Sequence, residues 1–218
     1  MAKGRLIVLE GAEGVGKSSQ AARLRDRLTH GGIDVELIRE PGGTPVGEQV
    51  RDILLSPGRE LVPASEALLF MASRAAVTEE RIKPAIARGA TVVADRFFLS
   101  TYAYQIAGRG LPEAGIRAAN LLATGGLVPD LVLLLELPLD IAMERARARG
   151  TADRIEAATE SFHRRVASAF DAFVTPEWQA AHPESGPVLA IDGSGSPDMV
   201  ENRIFSALRQ RFPETFRS

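Results

Sequence analysis

The amino-acid sequence predicts an α/β protein: a three-layer α/β/α fold with a five-stranded, mostly parallel sheet between helices. Five short strand-like runs alternate with helical stretches, the pattern of repeated βαβ units. Three of these runs are nearly continuous in Val, Ile and Leu, as strands buried on both faces of a parallel sheet are. A length of 218 residues suits one domain, expected to span 1–218.

In chain order, "RLIVLE" (5–10) runs into a glycine-rich stretch and then a helical pattern over about 17–30. "DVELIRE" (34–40) precedes helical patterns over 46–56 and 65–88. "ATVVAD" (90–95) leads to 99–107 and 113–125, and "LVLLLEL" (131–137) to 139–149 and 156–181. After "VLAID" (188–192) the Gly/Ser/Pro cluster "DGSGSPD" reads as a turn into a last helix over 197–211, not as a linker.

Composition excludes several function classes. A net charge of −2 supplies no positive field to draw the chain to nucleic acid or an anionic membrane. With no cysteine, disulfides, thiolate catalysis and Cys-ligated zinc are absent. His30, His163 and His182 are too scattered to suggest a metal centre. The apolar runs are too short to cross a bilayer, and no secretory signal pattern opens the chain, so a cytoplasmic location is expected. Three of the 26 basic residues are lysine, leaving twenty-three arginines; Lys17 is thus the more telling position and arginine clusters the less.

Lys17 falls in "GAEGVGKS" (11–18), which matches G-x-x-x-x-G-K-[ST] between a strand and a helix. Gly11, Gly14 and Gly16 allow backbone angles closed to other residues, and the amides of Gly11, Ala12, Glu13, Gly14, Val15, Gly16, Lys17 and Ser18 are expected to cradle the phosphates of ATP. Lys17 would reach the β- and γ-phosphates and Ser18 would ligate Mg²⁺. The loop serves kinases, switches and motors alike, so it does not name the acceptor.

Three further stretches bear on the acceptor: "REPGGT" (39–44), "FMASR" (70–74) and "DRFFLSTYAYQ" (95–105). Phe70 and Arg74 are one helical turn apart and share a face, so an aromatic ring and a rigid donor can meet one base; a core Phe with a solvent-exposed Arg is the alternative. Asp95 and Arg96 end the third strand, at the carboxyl edge where open α/β sheets bind ligands. Asp95 can orient a Mg²⁺-bound water or the acceptor, and Arg96 can hold phosphate oxygens in a fork; a strand-capping ion pair is the alternative.

With "GAEGVGKS" and "RARARGTADRIE" (145–156), these stretches resemble the bacterial type of thymidylate kinase, in order along nearly the whole chain up to about residue 160. The resemblance implies a phosphate-loop nucleoside monophosphate kinase that transfers phosphate from ATP·Mg²⁺ to dTMP, a step toward dTTP, and that forms a homodimer. It implies that Phe70 stacks on thymine, that Arg74 contacts its O4, and that Arg96 holds the dTMP phosphate. Thr101, Tyr104 and Gln105 would contact base and sugar, the Tyr104 ring crowding the 2′ position, with Arg39 and Pro41 near the same pocket. Phe97 lacks the hydroxyl that some relatives carry there. Glu13 would contact the dTMP sugar or an arginine that serves catalysis.

Val15 is apolar where some relatives carry a catalytic arginine in the loop, so cations must come from elsewhere. A lid over about 145–158 offers Arg145, Arg147, Arg149 and Arg154, with Gly150, Thr151 and Ala152 at its tip. Closing it would bring Arg149 and Arg154 over the ATP phosphates and exclude water. "LSTYAYQIAG" and "GIRAANLLATGGL" are each either a contact face for a second copy or core. The rival readings are a kinase of another nucleoside or nucleotide, and a nucleotide-dependent switch without an acceptor.

Overall fold

The computed structural model describes residues 3–148, 150 and 153–216. Strands β1 (Arg5–Glu10), β2 (Val35–Arg39), β3 (Thr91–Asp95), β4 (Leu131–Glu136) and β5 (Val188–Asp192) form one parallel sheet in the order β2-β3-β1-β4-β5. All six residues of β1 are buried, which places it in the centre and explains its unbroken apolar spelling.

Successive side chains of a strand point to opposite faces, so β1 contributes to two cores. On one face Ile7 and Leu9 pack with Leu24 and Leu28 of α1 (Lys17–His30) and with Ile204 and Leu208 of α10 (Pro197–Arg211). On the other, Leu6 and Val8 join Val77 and Phe97 and the aromatic side chains Phe162, Phe170 and Phe173 of α8 (Glu160–Phe173). The three layers follow from this division.

The remaining helices are α2 (Pro45–Leu55), α3 (Pro63–Val77), α4 (Lys83–Ala87), α5 (Phe98–Thr101), α6 (Glu113–Thr124), α7 (Leu139–Ala148) and α9 (Pro176–Ala181). The pattern over 65–88 is one helical rod with a wide π-type segment at Thr78–Ile82, just ahead of Pro84, where a tight turn would press the proline ring onto a preceding carbonyl. The expected single helix over 156–181 is instead two. Residues 154–157 form turns, and α8 and α9 each start at a threonine, Thr159 and Thr175, whose side chain accepts from Phe162 N and Trp178 N. Pro176, lacking an N–H, fits only the first turn of the second helix.

The stretch "LSTYAYQIAG" is core: Leu99, Tyr102, Ala103 and Tyr104 are buried in α5 and the π-type segment Tyr102–Gly108 that continues it. Tyr102 meets Phe173, Trp178 and His182 edge to face. By contrast α6 presents Leu122, 86% exposed, beside Leu121, and Leu68 of α3 is also exposed.

Candidate active site

Strands β1, β2 and β3 end level with one another, since the register aligns Leu9 and Arg39 with Asp95. Their carboxyl ends launch the glycine loop, the Glu40–Pro41 segment (a cis peptide) and Arg96 into one cavity of about 590 Å³, a size suited to a nucleotide-like ligand. Its lining includes Glu13, Gly14, Gly16, Lys17, Ser18, Arg39, Pro41, Phe70, Arg74, Asp95, Arg96, Thr101, Tyr104 and Gln105, residues spread over ninety positions of sequence.

The loop has the geometry its spelling requires. Gly11, Gly14 and Gly16 have φ of 137°, 78° and 98°, and α1 starts at Gly16 with no side-chain cap, leaving its first amides open to an anion. A Cβ on Gly14 would stand 1.8 Å from the Ala142 carbonyl oxygen of α7. Lys17 folds back to donate to the Ala12 carbonyl at 2.6 Å. Burial, with a smaller effect from neighbouring Arg96, lowers its pKa to about 8, against the pull of Glu13 and Asp95. Phosphate oxygens would reverse that balance.

Ser18 Oγ donates to Asp95 Oδ2, and Asp95 Oδ1 is buried without a partner among the described residues. Two hard oxygens beside a phosphate loop suit Mg²⁺, which takes one or two protein oxygens and keeps water and phosphate for the rest of its shell.

Glu13 and Arg96 form an ion pair across the cavity floor. The Tyr104 hydroxyl donates to the same Glu13 Oε1 at 3.0 Å. Arg96 Nη1 also donates to Ser100 Oγ at 2.9 Å, and Ser100 donates in turn to the buried Glu10 carboxylate at 2.7 Å. Burial opposes the charge on Arg96, but Glu13 and the carboxylates behind it outweigh that and raise its pKa above the ordinary arginine value. Arg96 holds φ at 74°, a left-handed conformation a non-glycine residue adopts only under constraint, and the contacts of its guanidinium supply it.

Arg74 is 1% exposed and its guanidinium is saturated by the protein. It donates to Glu40 Oε2 at 2.7 Å, Thr101 Oγ1 at 2.8 Å, the Phe97 carbonyl at 2.8 Å and Asn120 Oδ1. Contact with a base therefore has to share a donor already held by Thr101 or Asn120. Thr101, the last residue of α5, and Gln105 of the π-type segment both line the cavity, with Tyr104 between them in the chain and bonded to Glu13.

Other expected residues lie apart from the cavity wall. Gly11, Ala12 and Val15 contribute to the loop but do not line it, and Arg149 and the tip residues Thr151 and Ala152 fall outside the described residues. Arg154 does not line the cavity: its Nε donates to the Leu54 carbonyl at 2.7 Å and its Nη2 pairs at 2.7 Å with Glu66, which is buried and needs countercharge. Arg145 does line the cavity. So do Arg51 and Glu40, which the sequence reading passed over. Arg51 sits in an ordinary amphipathic helix, and only its place two turns beyond the "REPGGT" turn could have marked it.

A phosphate loop and an aromatic and amide recess, joined by an arginine at the end of β3, define the class: a phosphate-loop nucleotide kinase with separate donor and acceptor ends. The thymidylate kinase family model matches residues 9–190. Curated thymidylate kinases match over most of the chain. That of Deinococcus radiodurans is 43% identical over 211 residues, covering 97% of this chain and 99% of its own. That of a Synechococcus strain is 45% identical, covering 95% of each, and that of Pseudomonas fluorescens SBW25 is 49% identical over 77% of this chain and 80% of its own. The chain belongs to the thymidylate kinase family and is an enzyme, a dTMP kinase.

Proposed function

We propose that the cavity carries out in-line transfer of the ATP γ-phosphoryl group to the phosphate of dTMP, giving dTDP. The observation that carries this reading is the position of Arg96, which touches the phosphate loop through the Gly11 carbonyl and Glu13 and the acceptor recess through Tyr104. An arginine there holds the dTMP phosphate beside the incoming γ-phosphoryl group, and the transition state needs positioning and countercharge rather than covalent chemistry.

The loop amides hold the donor phosphates and Lys17 follows the charge that moves onto the β–γ bridge. Ser18 and Asp95 are the residues to hold Mg²⁺. When bound, the ion would neutralise charge on the donor phosphates. No general base is required, because the attacking dTMP oxygen is already anionic at neutral pH. Glu13 orients Arg96 instead. At the acceptor end Phe70 stacks on the base, Arg74, Thr101 and Gln105 read its edge, Tyr104 crowds the 2′ position, and Arg39, Pro41 and Arg51 close the rim. Arg145 and Arg149 supply lid charge to the donor phosphates, while Arg154 anchors the lid to Glu66. The exposed leucines of α3 and α6 support a homodimer, and the site of action is the cytoplasm.

The test is ADP formation from ATP·Mg²⁺ with dTMP, dUMP, UMP, dCMP, dGMP and AMP in turn. A response strongest for dTMP and absent for UMP is expected. Equal slow turnover with every acceptor and with none would leave a nucleotide-binding switch.

A further inference from the structure

Glu66 lies in α3, 1% exposed, behind the wall that carries Gln105. Its Oε1 accepts from Gln105 Nε2 at 2.9 Å and from Arg109 Nε at 3.2 Å, while its Oε2 accepts from Arg109 Nη2 at 3.0 Å and pairs with Arg154 Nη2 at 2.7 Å. Burial alone would favour the neutral acid, but the donors of Arg109, Gln105 and Arg154 prevail and hold its pKa below the ordinary value. Glu66 is therefore a carboxylate at neutral pH, with no proton to donate.

That charge state decides which way the Gln105 amide points. An amide offers an oxygen at one end and an NH₂ at the other, and the two are easily exchanged by rotation. A carboxylate can only accept, so Gln105 must turn its NH₂ toward Glu66. Its Oε1 is left over, with no donor among the described residues, in a side chain that lines the cavity next to Thr101 and Arg74.

We propose that Glu66 is a specificity-determining residue: it locks Gln105 as an acceptor toward the base and thereby selects pyrimidines that carry a proton on N3. Thymine and uracil present N3–H as a donor. Cytosine presents a bare N3 lone pair at that place, and an oxygen locked opposite it has no hydrogen bond to make and meets like charge. A freely rotating glutamine would serve either base. This inference rests on the reading that Gln105 faces the acceptor base.

The experiment compares kcat/KM for dTMP and dCMP in the wild type, Glu66→Gln and Gln105→Met. In Glu66→Gln the two arginines at Oε2 retain the amide oxygen, so the NH₂ of residue 66 faces Gln105 and turns it over. The dTMP:dCMP ratio is expected to fall by about 100-fold, the scale of leaving one buried polar group without its hydrogen bond. The loss should sit in KM for dTMP, with KM for ATP unmoved. A merely structural role would depress both acceptors alike and leave their ratio intact. If Gln105→Met loses discrimination but Glu66→Gln keeps it, the inference about Glu66 is overturned while the base contact stands. If neither variant changes the ratio, Gln105 does not face the base and the underlying reading fails. Should Glu66→Gln not fold, Glu66→Asp keeps the charge for both arginines and withdraws it from Gln105; an unchanged ratio there overturns the inference equally.

Discussion

Arg96 and Glu13 are bound to each other across the cavity floor, although the first ends a strand in the middle of the chain and the second lies in the phosphate loop. A carboxylate next to a polyphosphate site looks unfavourable by charge alone. Here it holds the guanidinium that the acceptor phosphate needs, and the Tyr104 hydroxyl braces it at 3.0 Å. Replacing Glu13 by glutamine keeps the shape and removes the charge. We expect kcat to fall by about 10–100-fold, the scale of lost positioning, with ATP affinity nearly unchanged. Steady-state kinetics and equilibrium ATP titration check this, and a loss in kcat below threefold would remove Glu13 from the arrangement.

Tyr104 combines two roles that substitution separates. Tyr104→Phe loses the hydroxyl bond to Glu13 but retains the ring, so turnover should fall modestly while the preference for deoxyribose persists. Tyr104→Ala opens the space beside the sugar, and acceptance of a ribonucleotide such as UMP should rise relative to dTMP. Acceptor assays on both variants decide the matter; an unchanged UMP:dTMP ratio in Tyr104→Ala would place the ring away from the 2′ position.

Arg74 is both a candidate base contact and a buried countercharge. Arg74→Ala strands the Glu40 carboxylate, and we expect a loss of about 3–5 kcal/mol in unfolding free energy, as for other broken buried pairs. The double variant Arg74→Met with Glu40→Gln should recover much of this, because no uncompensated charge remains. Urea denaturation measures each. Equal stability of the single and double variants would show that the pair is not the source.

The exposed leucines Leu68, Leu121 and Leu122 are the place to test self-association. Leu122→Arg puts a charge at the most exposed of them, 86% accessible. Sedimentation velocity should show a dimer for the wild type and a shift toward monomer for the variant. A wild type already monomeric at tens of micromolar would end the homodimer reading.

Glu66 also sets an acid limit on stability. Its carboxyl titrates below the ordinary 4.5 in the folded chain, so the stability it contributes is present above that value and is lost as pH falls through the folded one. Glu66→Gln should therefore be less stable than the wild type at pH 7, with the difference shrinking as the pH falls below about 4.5. Thermal unfolding followed across that range tests the sign; a gap that widens on acidification contradicts it.

Much of the fold could be read from local patterns, because β1, β3 and β4 are buried on both faces and leave continuous apolar runs. The break between α8 and α9 was also written in the sequence, at Thr175–Pro176, but apolar spacing on either side hid it. For the site, residues with a rigid local motif were legible: the glycine loop, Asp95–Arg96 and the Phe70–Arg74 pair. What the sequence could not give is pairing across the chain. Glu66 lies 39 positions from Gln105 and Glu10 90 from Ser100, and neither sits in a stretch that looks unusual. The pairing of Arg154 with Glu66, about ninety residues away, is hidden for the same reason.

The contact between Gly14 and Ala142 bears on how a mutational survey of this loop should be interpreted. Because position 14 is closed by a neighbouring backbone and not only by a nucleotide, even a selection for solubility, blind to catalysis, should return glycine there. Gly11 behaves alike, its Cβ direction ending 2.5 Å from the Leu135 carbonyl oxygen. Intolerance at these two positions is evidence about assembly of the scaffold; at Gly16 a Cβ would meet nothing within 4 Å, but its φ of 98° disfavours a side chain all the same, so a loss there reports the backbone before it reports any nucleotide.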